Sequence, residues 1–270
     1  MTSVTWILES DVFPNSHGRL REAISEAGHR IVDSQDEWWL HEPPEFNPEI
    51  PVIFHGSLGN AAVIEMKAIG NPGSFCPVNE FCCTAWYPRA SRWLMHQDWR
   101  CLPANELIAN ATDVAAGIGC LDRVFVRPDS PLKPFIGRVL DVDSISLKAL
   151  DHGFYYEEET LPVIVAPVVE VGREWRFVVV QGRVVAGSGY DAGTRRAVDS
   201  GGDGKARDLA DEVASSMPSP CPVYVLDVCQ VGGEYHLVEL NPFGGADLYD
   251  CDAAAIVSAV SNYAIQNHPR

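Results

Sequence analysis

The sequence is poor in basic residues. Lysine and arginine together number 20, against 37 for aspartate and glutamate, so the chain of 270 residues carries a formal net charge of −17 at pH 7. A surface of that charge repels a phosphate backbone. The composition therefore argues against a nucleic acid as the partner.

A targeting or membrane-spanning segment is also missing. Residues 1–8 have no basic n-region, and Glu9 and Asp11 follow before an apolar signal-peptide core could form. No apolar run approaches the roughly 20 residues that a transmembrane helix needs. We therefore expect a cytoplasmic protein that makes no membrane contact.

Metal-binding cysteine patterns are absent as well. The chain has eight cysteines, yet none forms a Cys-x-x-Cys pair, and no histidine pair stands beside them at ligand spacing. This pattern favours small buried side chains in a reducing compartment over a zinc site or a disulfide framework.

What the sequence does have is a pattern of alternating strands and helices. Hydrophobic residues make up 46% of the chain, enough for a large core. In the first 130 residues, periodicity predicts strands at 3–8, 29–32, 51–55 and 123–127 and helices at 18–28, 60–69 and 104–116. This order indicates an α/β fold, with a first lobe that ends near residue 90.

The final third is rich in predicted strands. A strand is expected at 161–169, followed by two hairpins, one turning at Gln181-Gly182 and the other at Gly232-Gly233. The hairpin strands cover 174–180 with 183–188 and 222–229 with 234–240. Helices are predicted from 205 to 217 and from 253 onwards.

The second hairpin carries two carboxylates where an apolar core is expected. Strand alternation places Tyr235, Leu237, Glu239 and Asn241 on one face, and the turn brings Asp227 within cross-strand reach of Glu239. Two buried carboxylates repel each other unless a cation lies between them. Carboxylate and amide oxygens suit Mg²⁺, although Glu239 could instead face solvent while Asn241 starts a turn.

Three basic residues stand where an anionic ligand would stabilise them. Arg127 ends a strand, Lys133 lies in a Pro-rich loop, and Arg176 is inside the apolar strand "EWRFVVV". A nucleotide triphosphate with Mg²⁺ would satisfy all three cations and the acidic hairpin together. The alternatives are an ion pair of Arg176 with Glu174 and plain solvation of Lys133.

In this order of motifs the chain resembles the ATP-grasp superfamily. The motifs are "VFVRPDSPLKPFIG", the apolar linker "APVVE", "EWRFVVVQGRVVAGSGY" and "VELNPFGGADLY". More narrowly, they resemble those of small ATP-grasp proteins met in bacteria and phages. The resemblance implies an α/β (α+β) ATP-grasp fold with an N-terminal Rossmann-like lobe, and we expect lobes at 1–90, 91–165 and 166–270.

The resemblance also implies the cofactors ATP and Mg²⁺ and the residues that bind them. The metal would be held by Asp227, Glu239 and Asn241. The phosphates would be contacted by Arg127 and Lys133, and the γ-phosphate or acyl phosphate by Arg176. The adenine would lie against Val168, Val169 and Glu170. Many relatives have lysine at the position of Arg127, so its division of labour with Lys133 stays open.

The chemistry implied by the resemblance is an ADP-forming ligation with Arg176 and Lys133 as catalytic residues. ATP would phosphorylate a substrate carboxylate, and an amine or another nucleophile would then displace the phosphate. The substrates would be small molecules or peptides. A phosphotransferase without ligation and a non-catalytic nucleotide-binding module are the alternatives.

Residues for the carboxylate substrate are sought in the loops on either side of the acidic hairpin. The candidates are Arg195, Arg196, Arg89, His55 and Ser57. The arginines could clamp an anion, and Ser57 stands between a strand and a helix, where α/β folds place ligands. Ordinary surface charge and an ordinary helix cap are the competing explanations.

Overall fold

The computed structural model describes residues 3–9, 11–34, 46–151, 159–191, 196–200 and 204–269. The chain divides into two compact units, one comprising Met1–Pro77 and Val171–Arg270 and the other comprising Val78–Glu170. Within the described ranges, no helix combines the length and apolar character needed to cross a bilayer. The three lobes expected at 1–90, 91–165 and 166–270 stay a prediction.

The first unit begins with a parallel four-stranded sheet. Its strands are β1 (Thr5–Leu8), β2 (Arg30–Asp33), β3 (Val52–His55) and β4 (Pro72–Gly73), in the order β2-β1-β3-β4. The helices of this region are α1 (Pro14–Glu26) and α2 (Leu58–Met66). Pro14 suits the first turn of a helix, and Gly28, with φ of +73°, makes the turn into β2.

The other unit, Val78–Glu170, is built on a four-stranded antiparallel sheet. Its strands are β5 (Arg100–Pro103), β6 (Arg123–Pro128), β7 (Arg138–Asp141) and β8 (Pro162–Ala166), in the order β5-β8-β6-β7. The helices are α3 (Cys83–Ala90), α4 (Ala104–Ala109), α5 (Ala111–Ala116) and α6 (Leu147–Asp151). Val124 and Val126 of β6 face its core, so Phe125 and Arg127 lie on the opposite face of this sheet.

The second sheet of the first unit has five antiparallel strands. They are β9 (Glu174–Val180), β10 (Arg183–Asp191), β11 (Arg196–Ser200), β12 (Val223–Val231) and β13 (Glu234–Pro242), in the order β11-β10-β9-β12-β13. Both predicted hairpin turns are confirmed, because Gln181-Gly182 and Gly232-Gly233 have positive φ at each of their two residues.

The two sheets of the first unit share one hydrophobic core. Trp6 and Ile53 come from the parallel sheet, and Val178 and Val225 from the antiparallel sheet. Two helices of this unit are α7 (Gly204–Ser216) and α8 (Ala253–Gln266). In α8, the Ser261 hydroxyl accepts a hydrogen bond of 3.1 Å from the Trp6 indole, which ties the end of the chain to its beginning.

Two elements differ from the expected bounds. The predicted helix 104–116 is two helices, because Asn110 leaves the helical region with φ of −130° and ψ of 30°. The predicted strand 161–169 ends at Ala166, so the apolar letters that follow belong to a linker. Hydrophobic content alone cannot distinguish a strand from an apolar linker.

Candidate functional site

The acidic face of the five-stranded sheet is formed by neighbouring residues on three strands. Asp227 of β12 lies opposite Arg176 of β9 on one side and opposite Glu239 of β13 on the other. Residues paired in this way project from the same face of a sheet. The predicted cross-strand approach of Asp227 to Glu239 is confirmed.

Arg176 and Asp227 form a buried bidentate ion pair. Arg176 Nε donates to Asp227 Oδ1 at 2.8 Å, and Nη2 donates to Oδ2 at 2.7 Å. The two residues are only 7% and 1% exposed. Burial alone would lower the pKa of Arg176, but the charge and hydrogen bonds of Asp227 raise it well above its ordinary value.

The alternative pairing of Arg176 with Glu174 is not what the structure shows. Glu174 instead accepts a hydrogen bond from the Tyr190 hydroxyl. Burial is the main cause that raises the pKa of Glu174, and the negative charges of Asp227 and Glu239 add to it. Arg176 is bound by the acid across the strand pair, which is closer in space than its neighbour along the strand.

Asn241 belongs to the same face, but the face differs from the predicted one. Its amide Nδ2 donates to Asp227 Oδ2 at 3.1 Å. A β-bulge lies between Asp227 and Val228 in the register, so Glu239 pairs with Asp227 while Leu237 pairs with Val228. The prediction that Leu237 and Tyr235 share the face of Glu239 is therefore wrong, because the extra residue reverses the alternation.

The Arg176 guanidinium is also enclosed by aromatic rings. It lies 4.9 Å from the ring centroid of Tyr249 and 5.7 Å from that of Tyr190, and the two rings stack at 4.8 Å. Its Nη1 donates to the Asp247 carbonyl at 2.8 Å. These contacts hold the guanidinium in one orientation.

Asp227, Glu239 and Asn241 have the chemistry of a magnesium site. Their oxygens are hard ligands on one face of adjacent strands, with Asn241 buried and Glu239 half-buried. No group of three or more His, Cys, Asp or Glu side chains in the described ranges could hold a metal ion, so the set needs the Asn241 amide. A cation would share Asp227 with Arg176, which already binds both of its oxygens.

Arg127 and Lys133 lie in the other unit. Arg127 is buried in β6, and Lys133 is exposed in the following loop with φ of +50°. Between them, the Asp129 carboxylate accepts hydrogen bonds from the Thr84 amide at 2.8 Å and its hydroxyl at 3.0 Å. This contact fixes the start of α3 to the end of β6, directly beyond Arg127.

The proposed adenine residues follow the last strand of this unit. Val168 and Val169 are half-buried and Glu170 is exposed, in a segment without helix or strand. Phe125 lies opposite Ala166, the last residue of β8, in the sheet register. The linker therefore starts beside the strand that carries Arg127.

His55 is a buried residue of the first unit. Its Nδ1 lies 2.9 Å from Nε2 of His17, and its Nε2 lies 3.1 Å from the Ala246 carbonyl. Burial lowers the pKa of His55 well below 6.5, and the neighbouring His17 adds to this effect. These contacts fit a structural imidazole, and a substrate role for His55 stays a prediction.

Ser57 caps helix α2, and an acidic side chain occupies the same helix end. The Ser57 hydroxyl accepts from the Asn60 amide at 3.3 Å, and the Ser57 amide donates to Glu9 Oε2 at 2.6 Å. Glu9 also accepts from the Asn60 side chain at 3.0 Å. The position that α/β folds often give to a ligand is thus filled by this chain's own carboxylate.

The three remaining substrate candidates lie apart from the acidic face or beyond what can be described. Arg89 is exposed near the end of α3 and forms a long ion pair of 3.7 Å with Glu80. Arg195 lies outside the described residues. Arg196 begins β11, where only the backbone is described.

The glycines after Pro242 have a packing role. Gly56 donates its amide to the Gly244 carbonyl at 2.8 Å, and Gly244 donates to the Ser74 carbonyl at 3.0 Å. A Cβ at Gly244 would overlap that carbonyl, and one at Gly245 would lie 2.6 Å from Leu58 Cδ1. Close backbone approach to the first lobe, which the sequence pattern did not indicate, explains both glycines.

Sequence reasoning also missed Tyr190, Tyr249 and His96. Both tyrosines lie beside Arg176, and the only available signal was a large aromatic residue near a strand end. His96 stacks on Phe125 with a centroid distance of 4.9 Å and an interplanar angle of 18°. Its stretch "LMHQDW" has no pattern that would mark it.

Comparisons with known proteins identify relatives at the level of family and fold. A family model of the ATP-grasp domain, the third family of its clade, matches residues 59–260. A search of curated proteins gives no match.

Similar solved structures include two enzymes and one domain protein. The D-cycloserine synthetase DcsG matches with a TM-score of 0.65 and 13% identity, over 96% of this chain and 99% of that chain. A RimK domain ATP-grasp protein from Sphaerobacter thermophilus DSM 20745 gives 0.63 and 16%, over 95% and 99%. The D-alanine–D-alanine ligase from Bacillus anthracis, complexed with ATP, gives 0.60 and 12%, over 100% of both chains.

Proposed function

The chain belongs to the ATP-grasp domain family, and from this membership we propose that it is an ATP- and Mg²⁺-dependent, ADP-forming ligase. The resemblance noted in the sequence and the mixed α/β fold are both confirmed. The proposed reaction activates a substrate carboxylate as an acyl phosphate, which an amine or other nucleophile then attacks.

One observation carries the proposal: a buried acidic face that also holds an arginine and an amide. Asp227, Glu239 and Asn241 supply oxygen ligands on adjacent strands, and Arg176 is fixed beside them by Asp227. Phosphoryl transfer depends mainly on positioning and on neutralisation of charge. This face offers both functions in one place.

The roles proposed for the side chains follow from their charge. Asp227, Glu239 and Asn241 would hold Mg²⁺, which neutralises phosphate charge when bound. Arg176 would bind the γ-phosphate or the acyl phosphate, because its planar guanidinium matches phosphate oxygens. Arg127 and Lys133 would contact the phosphates, with Lys133 and Arg176 acting on the transferred group, and Val168, Val169 and Glu170 would line the adenine.

Arg176 has to exchange partners in this scheme. In the structure its guanidinium neutralises Asp227, so bound Mg²⁺ and phosphate would take over that neutralisation in pairs. The two tyrosine rings that enclose Arg176 can keep it in place during the exchange. The ion pair thus keeps both charges compensated before the ligands bind.

We propose substrates that carry a carboxylate and an amine, either small molecules or peptides. Arg89, Arg195, Arg196, His55 and Ser57 remain the proposed substrate residues. The relatives are named as a synthetase and a ligase, which supports ligation in general. The free thiols of all eight cysteines support a reducing, cytoplasmic location.

Release of ADP and phosphate tests the proposal. The protein would be incubated with ATP, Mg²⁺ and a library of carboxylates and amines, with hydroxylamine as a trap. A ligase gives a hydroxamate from its acyl phosphate, whereas a phosphotransferase gives a stable phosphorylated product. Turnover with neither product would contradict both reactions and favour a nucleotide-binding module.

The variant Glu239→Gln tests the acidic face within the same assay. Loss of one metal-ligand charge should reduce turnover on the order of 100-fold. Glu234→Gln is the matched control, since Glu234 is exposed at the start of the same strand. Equal activity of the two variants would remove Glu239 from the proposed site.

A further inference from the structure

His96 is a buried imidazole without a hydrogen bond. It is 4% exposed, and neither ring nitrogen has a hydrogen-bond partner in the part of the chain that the structure describes. A neutral imidazole offers one N–H donor and one acceptor nitrogen. Buried polar atoms are nearly always hydrogen-bonded, so two such atoms on one ring point to a missing partner.

The surroundings of His96 keep its ring neutral and in a fixed plane. The ring stacks on Phe125 at 4.9 Å with 18° between the planes. Burial lowers the pKa of His96 to about 4, and the positive charge of Arg127 adds to this effect. The imidazole therefore retains both a donor and an acceptor at neutral pH.

The position of His96 relates it to the nucleotide residues of the same unit. Phe125 lies opposite Ala166, directly before the linker that is proposed to hold adenine. Arg127, proposed to contact phosphate, follows two residues later on the same face of β6. The imidazole on Phe125 thus lies between the proposed adenine and phosphate positions.

We propose that His96 is a further nucleotide-contacting residue, which hydrogen-bonds the ribose or first phosphate of a bound adenine nucleotide. This inference rests on the proposed function, because it needs a nucleotide bound beside Arg127. It adds a residue and a contact that the sequence motifs did not include. The ligand class is an adenosine phosphate, with AMP as its smallest member.

The variant His96→Phe separates a ligand contact from a structural role. Phenylalanine can stack on Phe125 but removes both unpartnered nitrogens, so we expect the ligand-free protein to keep or raise its Tm. The same variant should bind MgATP and AMP about five- to tenfold more weakly, the effect of one lost hydrogen bond. His96→Asn, which keeps a polar group, should lose less affinity.

Leu107→Ala is the control for a general loss of stability. Leu107 is fully buried in the core on the other face of the same sheet. This variant should lower Tm without changing the Kd for MgATP or AMP, both measured by calorimetry. If it weakens binding as much as His96→Phe, the effect reflects stability and the inference is wrong.

NMR of the histidine side chains gives a readout that does not depend on a folded variant. The sequence has eight histidines, and the imidazole signal that disappears in His96→Asn identifies His96. We expect that signal to shift when AMP or MgADP is added to the wild-type protein. Nucleotide binding without such a shift would overturn the inference and leave the proposed function standing, whereas no nucleotide binding at all would overturn both.

Discussion

The acidic face of the first unit and the Arg127 region of the second unit satisfy their polar groups in opposite ways. On the acidic face, Arg176, Asp227 and Asn241 bind one another. Beside Arg127, the His96 ring has no hydrogen-bond partner within the described ranges. A self-paired site must exchange partners to accept a ligand, whereas His96 gains its first partners from one.

The same contrast holds between two places where ligands are often found. The N-terminus of α2 is filled by Glu9, so this end of the parallel sheet is complete without a ligand. The start of α3 is likewise held by Asp129 through Thr84. Internal pairing therefore marks structural positions, and the comparison predicts how each site responds to substitution.

The largest expected effect comes from removal of Asp227. In Asp227→Ala the buried Arg176 loses its carboxylate, which should lower the free energy of unfolding by about 3–5 kcal/mol. Urea denaturation measures this loss. The double variant Asp227→Ala with Arg176→Met should recover much of the stability, and failure to recover would show that the pair is not the cause.

The second effect is a loss of stability in acid through His96. Its pKa in the folded protein is about 4, against an ordinary 6.5, so the unfolded chain takes up the proton first. Its contribution is therefore complete above pH 6.5 and is lost as pH falls towards 4, by about 3 kcal/mol. His55, whose pKa is also lowered by burial, should act in the same direction.

Urea denaturation at pH 7 and pH 4.5 checks this pH dependence. The wild-type protein should lose more stability over this range than His96→Phe, which cannot bind the proton. An identical pH dependence of the two proteins would contradict the buried, neutral state of His96.

The third effect tests the filled helix end. In Gly56→Ala the added Cβ would overlap Glu9 and lie 2.7 Å from the Phe54 ring, so we expect a loss of about 1–3 kcal/mol. Gly59→Ala is the control, because nothing lies within 4 Å of its Cβ and alanine favours a helix. Thermal unfolding should move in opposite directions for the two variants.

The smallest effect is expected at the exposed Arg89. Its ion pair with Glu80 spans 3.7 Å and both side chains are more than 40% exposed, so Arg89→Ala should cost less than about 1 kcal/mol. A fall in turnover without a fall in Tm would support its proposed substrate role. Unchanged KM and kcat would limit Arg89 to the surface.

Sequence patterns predicted the elements and their pairing better than the contacts between side chains. Both hairpin turns and the pairing of Asp227 with Glu239 could be predicted, because glycine-containing turns fix the register of local strands. The bulge beyond Asp227 could not, since one extra residue leaves no mark in the hydrophobic alternation.

The partners of buried charges were equally hidden from the sequence. Arg176 was expected beside Glu174 or a phosphate, and its pairing with Asp227 depends on which strands become neighbours. His96 and Phe125 are far apart in the chain and meet only after folding. Long-range contacts of single side chains therefore had to come from the structure.

The most direct test of the account is the Mg²⁺ dependence of ATP binding, measured by calorimetry for the wild-type protein and Glu239→Gln. We predict that the wild-type protein binds ATP more tightly with Mg²⁺ than without it, and that Glu239→Gln loses roughly ten- to 100-fold of the affinity for MgATP. Equal affinity with and without Mg²⁺, unchanged in Glu239→Gln, would contradict the magnesium site on the acidic face.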